Sequence, residues 1–485
     1  MKNRIDVINF ILKVEEKFDV NSWIINEVKI WPVVRVKLFL AIISKLENYD
    51  TKRLTPKKKS NNQWVIIFKS LISSPLLFIF FKKLKNKKYL FFGSDNHRIN
   101  YKGKRYNRFF DTIINQVKIK NRSYVFDCGQ VKSNNIYNNE IFHALDPYIF
   151  TYFNLYRIKL KFNSLFQRAE LIGYDKFISF LKLNTFTFDL TYFIEKEVVK
   201  ITFNDHYIKA KFFEKILLTI KPEKVFMLNY YSDKFFALNN ACFNIGVETI
   251  DLQHGPQSFS HAAYGNWSVV PENGYELLPQ TFWLWDDYSF KSTNNWTQYN
   301  SHHKSMVYGN PWVDYFKMNS EFKFISKDEF ILYTLQPLSI DELFPDQILR
   351  IIDELDNKWF LRLHPLQFKE KDNIINFFKK KNLINKIEIN LASEKPLPEL
   401  LSNCLVHVSN FSGCIIEASL LNKFSIILHE IGRDNFSELI NLNKAVFVSV
   451  NNLTIQKFNL IISENISFVG DSQSKTFYDY FKSDS

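Results

Sequence analysis

The sequence predicts an α/β protein of two doubly wound, Rossmann-like parallel-sheet domains with extra helices at the N-terminus. Three observations predict it. Short apolar runs such as Phe330-Ile331-Leu332-Tyr333-Thr334, Trp359-Phe360-Leu361 and Leu405-Val406-His407-Val408 alternate with helical patterns through residues 326–450. A second alternation fills residues 87–318, and its clearest unit is a strand after Lys224, a helix capped by Ser232 or Asp233 and ended at Gly246, and a strand over 247–252. That order is a right-handed β-α-β crossover. A chain of 485 residues also exceeds what one ordinary core accommodates.

Composition narrows the class. With 46% hydrophobic and 23% charged residues the chain is globular rather than disordered. The four cysteines, Cys128, Cys242, Cys404 and Cys414, lack metal-type spacing and read as reduced, buried small hydrophobes. The polar start after Met1 shows no secretory signal, so the expected location is cytoplasmic.

The net charge of +13 points to an anionic partner, and its distribution says which kind. Between Thr51 and Ser94 there is no acid, while Lys52, Arg53, Lys57, Lys58, Lys59, Lys69, Lys82, Lys83, Lys85, Lys87 and Lys88 all fall there. These bases bracket the apolar stretch 64–81, which is long enough to cross a bilayer but contains Lys69 and the break Ser73-Ser74-Pro75. A helix lying in the interface of an anionic membrane fits better, with a core helix carrying a solvated basic flank as the alternative. The expected partners therefore include a membrane surface, the inner face of the cytoplasmic membrane, and no nucleic acid.

Four regions are expected in order. Residues 1–86 form a helical region with the basic, apolar segment; 87–318 form the first α/β domain; 326–450 form the second; and 451–485 are helices packing back on the first domain. Asn310-Pro311 and the charged stretch after it mark the boundary.

Ligands of open α/β sheets collect at the C-terminal ends of strands, so polar residues there are the candidates. In the first domain the run ending at Phe92 opens into Gly93-Ser94-Asp95-Asn96-His97-Arg98, followed by Tyr106, Asn107 and Arg108. Asp95 and His97 are candidates for acid/base work, and Arg98 for the cleft wall. Asp205 and His206 are a weaker pair that an N-cap to a following helix explains. The strand over 247–252 delivers Gln253-His254-Gly255-Pro256, with Ser260, His261 and Tyr264 extending the wall. The order of candidates for the base is Asp95, His254, His97.

In the second domain the expected ligand edge carries Gln336, Arg362-Leu363-His364-Pro365, and Ser409-Asn410-Phe411-Ser412-Gly413 leading into Glu417. Small residues at Ser412-Gly413 would let a phosphate approach free N–H groups at a helix start, and Glu417 follows about one turn in, within reach of a ribose. No dinucleotide-type Gly-rich loop, phosphate loop, nucleophile elbow or zinc spacing is present, which disfavours nicotinamide redox, P-loop and serine esterase chemistry.

At these residues the sequence resembles the GT-B nucleotide-sugar glycosyltransferases of bacterial surface polysaccharide synthesis. The resemblance rests on Gln253-His254-Gly255, Tyr308-Gly309-Asn310-Pro311, Arg362-Leu363-His364-Pro365 and Ser409-x-x-Ser412-Gly413-x-x-x-Glu417-Ala418. The His-Pro and Ser-x-x-Ser-Gly pair is similar to that of the CMP-sialic acid and CMP-Kdo capsule transferases, and more loosely to CDP-glycerol polymerases. It implies two domains facing across a cleft and a metal-independent transfer from a nucleotide-sugar, with a CMP-linked keto-sugar favoured, to a glycan or lipid-linked glycan of capsule or lipopolysaccharide type. It implies that His364 meets the donor phosphate, as contact or general acid, with Arg362, Pro365, Ser409, Asn410, Ser412 and Gly413 around it. Glu417 would hold the ribose and Gln336 would line the nucleotide pocket, while Gln253, Gly255 and Arg98 would face the acceptor. The carboxylate motif of sialyltransferases is missing. A UDP- or GDP-hexose transferase, a CDP-polyol phosphotransferase and a non-enzymatic membrane-surface polyanion binder remain alternatives.

Overall fold

The computed structural model describes residues 3–46, 63–129, 135–162, 169–184, 194–319, 329–465 and 475–482. The chain divides into two compact units, one of residues 1–99 and 104–308, the other of 100–103 and 309–485.

The first unit opens with helix α1 (Arg4–Lys17), capped by Asn3, whose side chain accepts the Asp6 N–H at 2.9 Å. The expected helical run is then interrupted by a hairpin, β1 (Trp23–Ile25) and β2 (Val28–Lys29). Its two turn residues, Asn26 and Glu27, both hold positive φ, 51° and 69°, which suits the right-handed twist of a tight hairpin. Asn-Glu lacks the glycine that usually betrays such a turn in sequence. Helix α2 (Trp31–Leu46) follows.

Buried Glu15 joins these pieces. Its carboxylate accepts from Trp31 Nε1 at 2.9 Å and Arg35 Nε at 2.8 Å, and also from Ser268. Arg35 in turn donates to the carbonyls of Ala262, Gly265 and Asn266, which fastens the N-terminal helices to the loop after residue 254. The basic residues Lys52, Arg53, Lys57, Lys58 and Lys59 lie outside the described residues. Helix α3 (Gln63–Lys83) is described, with Pro75 inside it.

A seven-stranded sheet forms the body of this unit. Its strands in chain order are β3 (Tyr89–Gly93), β6 (Ser123–Asp127), β7 (Phe142–Ala144), β9 (Lys224–Met227), β10 (Glu248–Leu252), β11 (Thr281–Leu284) and β12 (Lys304–Val307). A small ribbon, β4 (Arg98–Tyr101) with β5 (Lys104–Asn107), follows β3, and β8 (Ala169–Leu171) joins β1. Every pairing within the seven-stranded sheet is parallel and the spatial order is β12-β11-β10-β9-β3-β6-β7. Counted from β3 that is 3-2-1-4-5-6 plus a seventh strand, the Rossmann order. Runs such as Tyr-Leu-Phe-Phe-Gly and Thr-Phe-Trp-Leu are wholly buried because helices cover both faces of a parallel sheet.

In the second unit β13 (Phe330–Thr334), β14 (Lys358–Arg362), β15 (Ile387–Glu388), β16 (Val406–Ser409), β17 (Ser425–Ile427) and β18 (Ala445–Phe447) form a parallel sheet in the order β15-β14-β13-β16-β17-β18, again 3-2-1-4-5-6.

Two expectations about domain limits change. The helix Pro311–Met318, expected in the first domain, clusters with the second unit. The C-terminal helix Ile455–Asn465 was expected to pack back on the first domain. It belongs to the core of the second unit instead, where Phe458 is fully buried and stacks on Trp359 with centroids 5.7 Å apart. Residues 320–328 and 466–474 lie outside the described residues.

Candidate functional sites at the two sheet edges

In a 3-2-1-4-5-6 sheet the chain leaves strands 1 and 4 in opposite directions, and the gap this opens at their C-terminal ends is where such sheets bind ligands. In the second unit the gap lies between β13 and β16. Gln336 follows β13, His364 follows β14, residues 410–413 follow β16 and His429 follows β17.

His364 caps a short 3-10 helix, Pro365–Glu370. Its Nδ1 accepts the Leu366 N–H at 3.2 Å, and its own N–H donates to Gln367 Oε1 at 3.2 Å. Burial lowers its pKa, so the ring is neutral at pH 7. With Nδ1 an acceptor, the proton sits on Nε2, and the partly exposed ring presents an N–H donor. A neutral imidazole N–H of this kind can donate to a phosphate oxygen.

His429, absent from the sequence reading, repeats the pattern: its Nδ1 accepts the Ile431 N–H at 3.1 Å, and its ring meets Phe411 edge-on with centroids 5.2 Å apart. The signal was available, since His429 directly follows the apolar 425–428 run just as His364 follows its own.

Several predicted donor residues are occupied by the fold. Ser409 is fully buried; its hydroxyl donates to the Thr334 carbonyl at 3.2 Å and accepts from Thr334 Oγ1 at 3.0 Å. The pair extends through His407, whose Nε2 lies 2.9 Å from Thr334 Oγ1 and whose Nδ1 lies 2.8 Å from Ser425 Oγ. This relay ties β13, β16 and β17 together beneath the ligand edge, and burial pushes the His407 pKa down to about 3. Asn410 is buried and donates to the Tyr333 hydroxyl at 3.1 Å. Arg362 donates to the carbonyls of Ala392 and Lys395 at 2.7 and 2.6 Å, so its guanidinium braces the end of β14.

What remains at the surface of the edge is the small loop. Ser412 and Gly413 are partly exposed, and Ser412 Oγ accepts the Cys414 N–H at 3.3 Å. The helix they enter is seven residues long, Cys414–Leu420, with Glu417 buried on it. Gln336 is buried, its Nε2 3.3 Å from the Leu335 carbonyl, and Pro365 is exposed. Gly432 holds the far side of the loop: a Cβ there would fall 2.1 Å from the Asn410 carbonyl oxygen, an approach only glycine permits.

In the first unit the switch point lies between β3 and β9. Its edge collects His97, Tyr231 and His254. The rings of His97 and His254 are 5.3 Å apart, Tyr231 is 6.4 Å from His254 and 5.4 Å from His261. His97 Nδ1 lies 3.4 Å from Ser94 Oγ, while His254 Nδ1 is buried without a partner. Burial lowers both pKa values, to about 4 for His254, and each is lowered further by Arg108 and, for His97, by the other ring. Both rings are neutral at pH 7.

The remaining first-unit candidates have structural employment. Asp95, the first choice as base, is 5% exposed and ion-paired to Arg105 at 3.0 Å. Arg98, expected on the cleft wall, is buried between Asp127 at 2.7 Å and Asp111 at 3.4 Å. Gln253 is fully buried, donating to Ser289 Oγ at 2.9 Å and the Gly255 carbonyl at 3.0 Å and accepting the Trp285 N–H at 2.8 Å. Gly255 is partly exposed. Asp205 and His206 sit in the middle of the helix Lys196–Ile220, not at its start, with His206 Nε2 3.1 Å from Asn240 Nδ2.

Asp251, which the sequence pattern does not single out, is buried on β10 three residues before His254. Desolvation raises its pKa to about 8, although it accepts the Tyr230 N–H at 3.1 Å and the Tyr264 hydroxyl at 3.2 Å. Cys128, Cys242 and Cys404 are buried and Cys414 is partly exposed, and among the described residues no group of three or more His, Cys, Asp or Glu is placed to hold a metal.

No family model matches the chain, and no curated protein matches it in sequence. Among solved structures it is similar to a UDP-GlcNAc 2-epimerase of Methanocaldococcus jannaschii in complex with UDP-GlcNAc and UDP. That match has 16% identity and a TM-score of 0.45 over 81% of this chain and 98% of the other. It is also similar to MnaA of S. aureus bound to UDP, at 13% identity and TM-score 0.46 over 79% and 91%, and to MurG of Acinetobacter baumannii, at 7% and 0.42 over 82% and 98%.

Proposed function

We propose that the chain is a nucleotide-sugar-dependent enzyme, and that its reaction is glycosyl transfer to a glycan or lipid-linked glycan. The observation that supports this most is the coincidence in the second unit of a Rossmann-order switch point with the two sequence motifs. His364 and the loop Ser412-Gly413 lie on one strand edge, and His364 is held there as a neutral Nε2–H donor. Neutral donors aimed at a leaving phosphate stabilise charge that develops as the glycosidic bond breaks. The second unit then binds the nucleotide diphosphate or monophosphate of the donor. The first unit supplies the acceptor-side groups, where His97 and His254 replace Asp95 as the base because they alone of the three are unengaged by a counter-ion.

The resemblance of the His-Pro and Ser-x-x-Ser-Gly pair favours a CMP-linked keto-sugar, and a UDP- or GDP-linked hexose is the alternative donor of the same reading. A thermal-shift series with CMP, CDP, UDP and GDP distinguishes them. One nucleotide should raise the melting temperature, and His364→Ala should abolish the rise. A well-folded protein that responds to none of the four sinks the proposal.

A further inference from the structure

We infer that α3 is an in-plane lipid-binding helix that docks the chain on an anionic bilayer. Its two faces are both apolar but have different fates. The inner face is part of the protein: Leu77, Phe80 and Phe81 are buried, Phe80 stacks on Tyr148 at 4.1 Å, and Ser73 Oγ lies 2.7 Å from Thr151 Oγ1 on helix α5 (Asp146–Phe162). The outer face carries Phe68, Leu71, Ile72, Leu76, Phe78 and Ile79, which are between 44% and 65% exposed. These recur at helical spacing along one stripe. So contiguous an exposed apolar surface marks an interaction site.

The backbone of α3 is equipped for an apolar medium. Pro75 lacks an N–H and so orphans the Leu71 carbonyl four residues earlier. The Ser74 hydroxyl donates to that carbonyl at 2.7 Å, and Ser73 Oγ donates to the Lys69 carbonyl at 2.8 Å. In water the Leu71 carbonyl needs no such partner; in lipid an unsatisfied one is expensive.

Charge selects the occupant. Lys69, Lys82, Lys83 and Lys85 are exposed on or just beyond α3, and residues 51–94 contain no acid. A second copy of a chain of net charge +13 would bring like charges to this face, whereas an anionic lipid surface brings opposite ones. The helix is about 30 Å long, enough to cross a bilayer. Its inner face is packed on α5 through a polar contact, so it lies along the surface instead. This inference does not depend on the nucleotide-sugar reading.

The test is co-sedimentation of the full chain with vesicles of phosphatidylcholine alone and of phosphatidylcholine with phosphatidylglycerol. Binding is expected only to the second kind. Lys82→Gln with Lys83→Gln should weaken it about fivefold per lysine removed. Leu71→Glu with Ile79→Glu should abolish it, with an unchanged melting temperature because both residues are exposed. Failure of the wild type to sediment, or full binding by the Leu71→Glu/Ile79→Glu variant, overturns the inference. So does a dimer in light scattering that this variant dissociates, since a second copy would then be the occupant.

Discussion

His97 and His254 meet edge to face at 5.3 Å, although one follows the first strand of its sheet and the other the fifth. Parallel register carries both to the same edge. Neither ring has a carboxylate partner, and burial together with Arg108 holds both pKa values down.

The pH dependence of turnover follows from that pair. His254, with a pKa lowered to about 4, is already unprotonated at pH 5, so with His254 as the base the rate should stay flat from pH 8 to pH 5 and fall only on approach to pH 4. His97→Asn and His254→Asn should each lower kcat, about a hundredfold for the one that acts as base. A rate that halves near pH 6.5, or two variants of wild-type kcat, would place the base elsewhere.

His364→Asn separates capping from ligand binding. An asparagine side chain still accepts an N–H at a helix start, so the melting temperature should hold. The Nε2–H donor is lost, and nucleotide affinity should drop by roughly tenfold or more, as for one hydrogen bond to a charged group. Calorimetric titration of the nucleotide that stabilises the wild type measures it; equal dissociation constants would remove His364 from the site.

Gly432→Ala tests the loop. The added methyl would lie 2.1 Å from the Asn410 carbonyl oxygen, so the backbone at 410–413 must shift. Overpacking of this kind destabilises by about 1–3 kcal/mol. Both stability by urea titration and nucleotide binding are expected to suffer. A variant indistinguishable from wild type in both would mean that the loop does not depend on this approach.

Acid should destabilise the fold through its buried histidines. His206, His303 and His407 are buried, and burial holds each near a pKa of about 3. The unfolded chain binds their protons below about pH 6.5. Their contribution is therefore fully present above that pH and is lost as pH falls toward 3, by up to about 1.4 kcal/mol per pH unit for each histidine. His143, His254 and His261, also lowered by burial, add to the effect, and the raised carboxyls of Asp111, Asp251 and Asp314 oppose it. Melting temperatures should drop between pH 6.5 and 5. A level or rising profile across that interval contradicts the assignment.

The strands were legible because a parallel strand covered on both faces is a continuous apolar run, and the polar residue that ends it is visible next to it. That rule puts His97, His254, His364 and the Ser412-Gly413 loop just after strands, where the structure also has them. The same rule also selected residues that the fold uses otherwise. Asp95 answers Arg105, Arg98 answers Asp127, Ser409 answers Thr334 and Arg362 answers two carbonyls about thirty residues further on. A strand-end polar group looks alike in sequence whether it meets solvent or a partner.

His429 and the hairpin at Asn26-Glu27 were missed for opposite reasons. His429 obeys the strand-end rule, whereas the hairpin turn carries no glycine to announce it. The C-terminal helix shows the limit most plainly. Its amphipathic pattern requires an apolar surface to cover, but nothing local says that the surface belongs to Trp359 of its own unit.

By itself, then, the sequence determined two parallel α/β sheets, their order along the chain, the polar residues at their strand ends and the basic, apolar character of α3. Those properties follow from local periodicity and composition. Only the tertiary structure decided which strand-end groups are tied down and which are left with unused donors and acceptors. It also decided which face of α3 is covered. Each of these depends on a partner far away in the chain, and burial or exposure of a side chain is a property of that partner as much as of the residue.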